Sequence, residues 1–232
     1  MKNEDFSWLP ELKDINITSY IWDFKKDNAS SEDAVELAFS TYQNDNDLAG
    51  VLIKVIVLNE RYSTRLTDNK LDDDKLKDNN NSVDVITMAE HIRSIQSDIA
   101  EYVDKEEKKR LINAYKKVGQ KYKQQYSFAT KYCCWNYKSM GFYIVDNYVI
   151  WLLYSYGRKL GIEKTDELRK RERKYYTYKD LEDYERFCEL YDIFFEKLGE
   201  VNTYKFKDNR EKDMFLWQLA KSLKEPKNDD SN

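Results

Sequence analysis

Glycine and proline are scarce in this chain: 232 residues contain six of the first and two of the second. Sandwiches and barrels are assembled from many tight turns, and tight turns draw on those residues. Long helices need neither. The expected fold is therefore all-α. Hydrophobic residues make up 41% of the chain and charged residues 35%, too apolar for a disordered polymer and too charged for a membrane bundle. A chain of this length buries roughly 70–75% of its unfolded surface. One all-α domain over 1–223 is expected, with a single core or two helical lobes around a cleft.

Met1-Lys2 is followed by polar residues and not by the apolar stretch of a secretory leader. The longest apolar run, Val51 to Leu58, is broken by Lys54 and is too short to span a bilayer. A cytoplasmic protein with no membrane partner is expected. Cys133, Cys134 and Cys188 are odd in number and irregular in spacing, which argues against a disulfide framework and against paired zinc-ligand clusters. The single histidine, His91, excludes multi-histidine metal sites and argues against a His-based triad. No metal and no cofactor is expected, and His91 reads as a structural or surface residue.

Ser30 with Asp33 reads as a helix start, followed by Ala34, Leu37, Ala38 and Tyr42 at helical spacing. Asp47 caps a second helix from Leu48 to about Ser63. Its apolar stretch covers nearly every side, as in a buried central helix. The polar run at 67–82 reads as an exposed loop or insertion. Helices resume over Val83–Ile95, Glu106–Val118 and Ser127–Trp135, the last two separated by a short string at 119–125. A firm i, i+4 stripe marks Ile144–Leu160, closed by Gly161. Thr177 with Asp180 opens a long helix that Gly199 ends, and Asp208 with Glu211 opens the last. The tail over 224–232 reads as disordered.

Charge is uneven. The net charge is −4, yet between Lys105 and Val145 ten basic residues face only Glu106 and Glu107. That segment is +8, so the remainder is −12 (−4 minus +8). A second basic cluster comprises Arg169, Lys170, Arg171, Arg173 and Lys174. A solvated helix face explains either cluster. So does a phosphate-binding surface, because screening makes local potential matter more than net charge.

The stretch Lys117–Val149 combines a helix, a glycine-containing turn, a second helix with an early alanine, and an aspartate opening a third helix. With its strings YSFATKYC and DNYV it resembles the helix-hairpin-helix DNA glycosylase superfamily, nearest to the 8-oxoguanine glycosylase branch and a set of bacterial proteins with that fold. The resemblance covers about residues 45–220. It implies that Gly119, Lys117, Lys121, Lys123, Ser127 and Asn59 contact DNA, that Asp146 completes the site, and that a lysine attacks the sugar in bifunctional members. The family's lysine position falls near Ser127. Lys131 is the candidate nucleophile, and Lys121 and Lys123 are the alternatives. The hairpin departs from the family in carrying one glycine.

Cleaving an N-glycosidic bond builds positive charge on the sugar, which a nearby carboxylate stabilises. Asp146 fits that role and also fits a plain helix cap. The extruded base would stack on aromatic rings, for which Tyr62, Tyr126, Tyr132, Trp135, Tyr143 and Trp217 are candidates, although helical spacing assigns most of them to the core. The expected function is N-glycosidic bond hydrolysis at a modified base in duplex DNA, as in DNA repair. The competing expectations are a catalytically inactive nucleic-acid-binding protein and a protein–protein module, as in phage defence.

Overall fold

The computed structural model describes residues 5–62, 66, 83–118, 125–164 and 174–225. Their regular structure is helical: α1 (Ile17–Thr41), α2 (Leu48–Tyr62), α3 (Val85–Ser94), α4 (Gln96–Asp104), α5 (Lys108–Lys116), α6 (Tyr126–Asn136), α7 (Asn147–Lys159), α8 (Tyr184–Val201) and α9 (Asn209–Lys224). Short 3-10 turns occupy Leu12–Asp14, Lys138–Met140 and Asp180–Glu182. An isolated antiparallel bridge pairs Glu163 with Tyr175. No described helix is long and apolar enough to cross a membrane.

The chain divides into two compact units. The first comprises Met1–Asp27 and Val145–Asn232, and the second Asn28–Ile144.

The first unit is built on α7, α8 and α9. Leu152, Leu153 and Tyr156 of α7, Phe187, Leu190 and Phe194 of α8, and Phe215, Leu216 and Leu219 of α9 are fully buried. They recur at three- and four-residue steps, which places each set on one helix face. Burying each such side chain contributes about 1.5–3 kcal/mol. Gly157 lets α7 approach α8, because a Cβ there would meet a Leu190 methyl at 3.3 Å. The Tyr156 hydroxyl donates to the Pro10 carbonyl at 3.0 Å and ties in the N-terminal segment.

The second unit packs α2 to α6. Val51, Val55 and Leu58 of α2 join Met88, Ala89 and Ile92 of α3, and Leu111, Ile112 and Tyr115 of α5. α5 and α6 form a helical hairpin whose ends are tied by Gln125 N–H to the Lys116 carbonyl at 3.1 Å.

The caps at Asp47, Asp146 and Asp208 stand where the sequence pattern puts them, and Asp84, expected inside the third helix, caps it instead. Several expectations are corrected. Ser30 caps nothing: α1 is continuous from Ile17, and Ser31 donates back to the Asn28 carbonyl inside it. α4 follows α3 with only Ile95 between them, without a glycine or proline to announce it. Ile144 and Val145 precede α7 and are not part of it. Asp180 does not open the long helix. Its carboxylate holds the Thr177 amide at 2.7 Å in a 3-10 turn, and Asp183 caps α8 instead. α8 passes through Gly199 to Val201. Gly161, at φ +64, does close α7. The run at 67–82, most of the second basic cluster and the tail beyond Glu225 lie outside the described residues.

α2 is not apolar on every buried side. Ile56 is 41% exposed, while Lys54 is fully buried on the same face as Val51 and Leu58. The enclosed helix of this unit is α6, where Phe128, Ala129, Thr130, Lys131, Tyr132, Cys133 and Trp135 are all buried.

Candidate functional site

A lysine inside an enclosed helix must be accounted for. Lys131 is 2% exposed. Helical Cα–Cβ bonds tilt towards the N-terminus, so its side chain runs back along α6. Its amine donates to Ser127 Oγ at 2.9 Å, one turn earlier, and lies 5.1 Å from the centre of the Tyr62 ring. Tyr62 is held in turn. Trp135 Nε1 donates to its hydroxyl at 3.1 Å, and the Arg61 guanidinium lies 4.8 Å from its ring centre. Arg61 pairs with Glu32 at 2.8 Å. The result is an amine over the Tyr62 ring, bonded back to the first turn of α6.

A second buried polar group was missed from the sequence. Lys54 pairs with Asp45 and donates to Asn136 Oδ1 at 2.9 Å. Asp45 also accepts from the Tyr132 hydroxyl at 2.8 Å and from Asn136 Nδ2 at 2.9 Å. The Lys54 amine lies over the Phe39 and Tyr132 rings. Charge is met by charge and each polar atom is partnered, which describes a structural network. Burial, reinforced by the Asp45 carboxylate, pushes the Tyr132 hydroxyl well above its ordinary value. Burial likewise pushes the Cys133 thiol up, with smaller contributions from Cys134 and Asp45, which leaves it unreactive. The signal for this network was the lysine at i+3 from Val51 and four residues before Leu58.

The remaining candidates are distributed as follows. Asp146 belongs to the first unit. It is half-buried and extended at φ −131, ψ 151, and it accepts from the Tyr148 amide at 2.9 Å as the N-cap of α7. Asn59 uses its amide to clasp both the N–H and the carbonyl of Leu66, at 3.1 and 3.2 Å. Lys117 is exposed at the C-cap of α5. Gly119, Lys121 and Lys123 lie outside the described residues. His91 bonds the Ala114 carbonyl at 2.9 Å and joins α3 to α5.

Part of the basic segment's charge is spent internally. Lys105 pairs with Glu101, Arg110 with Glu107 and Lys138 with Glu36. Among the described residues, no group of three or more His, Cys, Asp or Glu could hold a metal ion.

The chain belongs to the family described as HI_0787_N, N-terminal domain, whose model matches residues 15–139. Lys131, Ser127, Asn59 and the Asp45–Lys54 network fall inside that match, and Asp146 falls outside it. Comparison with curated proteins and with solved structures returned no match.

Proposed function

We propose that the chain is a divergent DNA glycosylase-like protein that binds DNA through its basic hairpin and cleaves the N-glycosidic bond of a modified base. One observation carries the reading: the buried Lys131 amine is delivered to Ser127 Oγ at 2.9 Å, where the resemblance places the family lysine. A buried amine is costly unless it is used or partnered. In the proposed step the Lys131 amine attacks C1′, the base leaves with the bonding electrons and takes up one amine proton, and the sugar ring opens with the other amine proton passing to O4′, which gives an imine.

The test is borohydride trapping on duplexes that carry a modified base, starting with 8-oxoguanine. Borohydride reduces the imine to a stable secondary amine, so a covalent protein–DNA adduct is expected from the native chain and none from Lys131→Gln. Absence of both adduct and abasic product across a panel of modified bases would overturn the proposal.

A second reading is a nucleic-acid-binding protein without cleavage. It is favoured by the cap bond of Asp146 to the Tyr148 amide, which gives that carboxylate a structural task of its own. It gives salt-dependent binding without product. Substituting Lys117, Lys121 and Lys123 together flattens the salt slope on this reading, and an unchanged slope counts against it.

A further inference from the structure

The first unit leaves an indole in solvent: Trp8 is 49% exposed. It lies against the half-buried Trp151, with ring centroids 5.6 Å apart and planes 23° from parallel. Trp151 and Tyr148 stand three residues apart on α7. Lys224, exposed at the end of α9, places its amine 5.1 Å from the Tyr148 ring centre and 5.7 Å from that of Trp151. One turn back, Lys221 lies 4.9 Å from the Trp217 ring centre, and Trp217 meets Tyr148 edge-on at 5.9 Å. Acids also stand beside this surface: Glu225 accepts from the Tyr148 hydroxyl, Asp146 caps the Tyr148 amide, and the Trp8 indole donates to the Asp5 carbonyl. The Glu225 bond is the main reason the Tyr148 hydroxyl is pushed up to about 12.

We infer that the Trp8–Trp151 stack with Lys221 and Lys224 is a binding surface for single-stranded nucleic acid. A stacked indole pair, one member of which is 49% exposed, offers a platform for a base. Amines held over the adjoining rings supply charge complementary to the phosphates on either side of it. Single-strand binding joins these two elements, since every base has a π-face and every nucleotide a negative charge. An apolar protein partner would explain the exposed indole and leave the lysines without a role. The inference is independent of Lys131 and of any cleavage.

The experiment is fluorescence anisotropy of a labelled oligothymidylate titrated with the full chain over a range of salt, with the same length of duplex alongside. The single strand is expected to bind more tightly than the duplex. Trp8→Ala should weaken it roughly 5- to 150-fold, the range for losing one stacked base, and Trp8→Phe should restore most of that loss. Lys221→Gln with Lys224→Gln should make the salt slope shallower by about 0.7 for each phosphate that is no longer neutralised. Circular dichroism of each variant checks that it is folded, and the lysine pair keeps the test open if Trp8→Ala is not. Unchanged affinity and slope in these variants would overturn the inference. So would loss of self-association or of vesicle binding in Trp8→Ala with oligonucleotide binding intact.

Discussion

The Lys131 amine and the Ser127 hydroxyl are four residues apart in sequence and 2.9 Å apart in space, inside a helix buried on nearly every side. Removing the hydroxyl takes one hydrogen-bond acceptor from the buried amine. Ser127→Ala is expected to destabilise the fold by about 1–3 kcal/mol, and Ser127→Thr, which keeps the oxygen, by much less. Urea unfolding of the two variants checks this. Equal stability would mean that the amine is satisfied without Ser127.

Asp146 separates structure from chemistry by its two conservative variants. Asn keeps an oxygen for the Tyr148 amide, whereas Ala loses it. Asp146→Ala should cost about 1 kcal/mol as a lost cap, and Asp146→Asn only a few tenths. If the carboxylate also stabilises the transition state, Asp146→Asn abolishes product formation while the unfolding midpoint hardly moves. Thermal melts run beside the cleavage assay make the comparison.

The Asp45–Lys54 pair is buried on both sides, with side-chain exposures of 4% and 0%. Breaking it one side at a time strands a charge in the core. Lys54→Met alone is expected to cost about 3–5 kcal/mol. Joining it to Asp45→Asn, which keeps acceptors and donors for Tyr132 and Asn136, should recover much of that loss. A double-mutant cycle in urea measures the coupling, and strict additivity would contradict it.

Asp180 gives the fold an acid-sensitive clasp in the first unit. Burial works to raise its carboxyl, but hydrogen bonds from Lys164 at 2.9 Å and from the Thr177 amide and hydroxyl outweigh that and hold it below the ordinary 3.8. Arg186 bonds its other oxygen. A depressed folded value means that the contribution is fully present above the unfolded value and is lost as pH falls through the folded one. The stability gap between the native chain and Asp180→Asn should therefore be full at neutral pH and shrink below about pH 4. A gap that stays constant from pH 7 to pH 2 would contradict this.

Local chemistry was legible in the sequence and its assembly was not. Scarce glycine and proline pointed to helices, and the caps at Asp47, Asp146 and Asp208 were readable because a cap bond reaches only two or three residues along the chain. The same local rule misplaced a start at Ser30, where a cap residue stands inside a helix that packing carries through it. It misplaced another at Thr177 with Asp180, where the Asp180 carboxylate answers to Lys164 and Arg186 as well as to Thr177. α4 was missed because Ile95 interrupts the helix with neither of the residues that mark a break.

The buried amine on which the functional reading turns shows the same division. The sequence by itself determined that Lys131 lies in a helix, four residues and so about one turn beyond Ser127. Only the tertiary structure decided that this helix is enclosed, that Tyr62 lies under the amine, and that the charge hidden in the apolar run of α2 meets Asp45 and Asn136. Asn136 lies 82 residues from Lys54 along the chain. Helical geometry is set by neighbours a few bonds away, whereas burial and ion pairing depend on which distant segments the fold brings alongside.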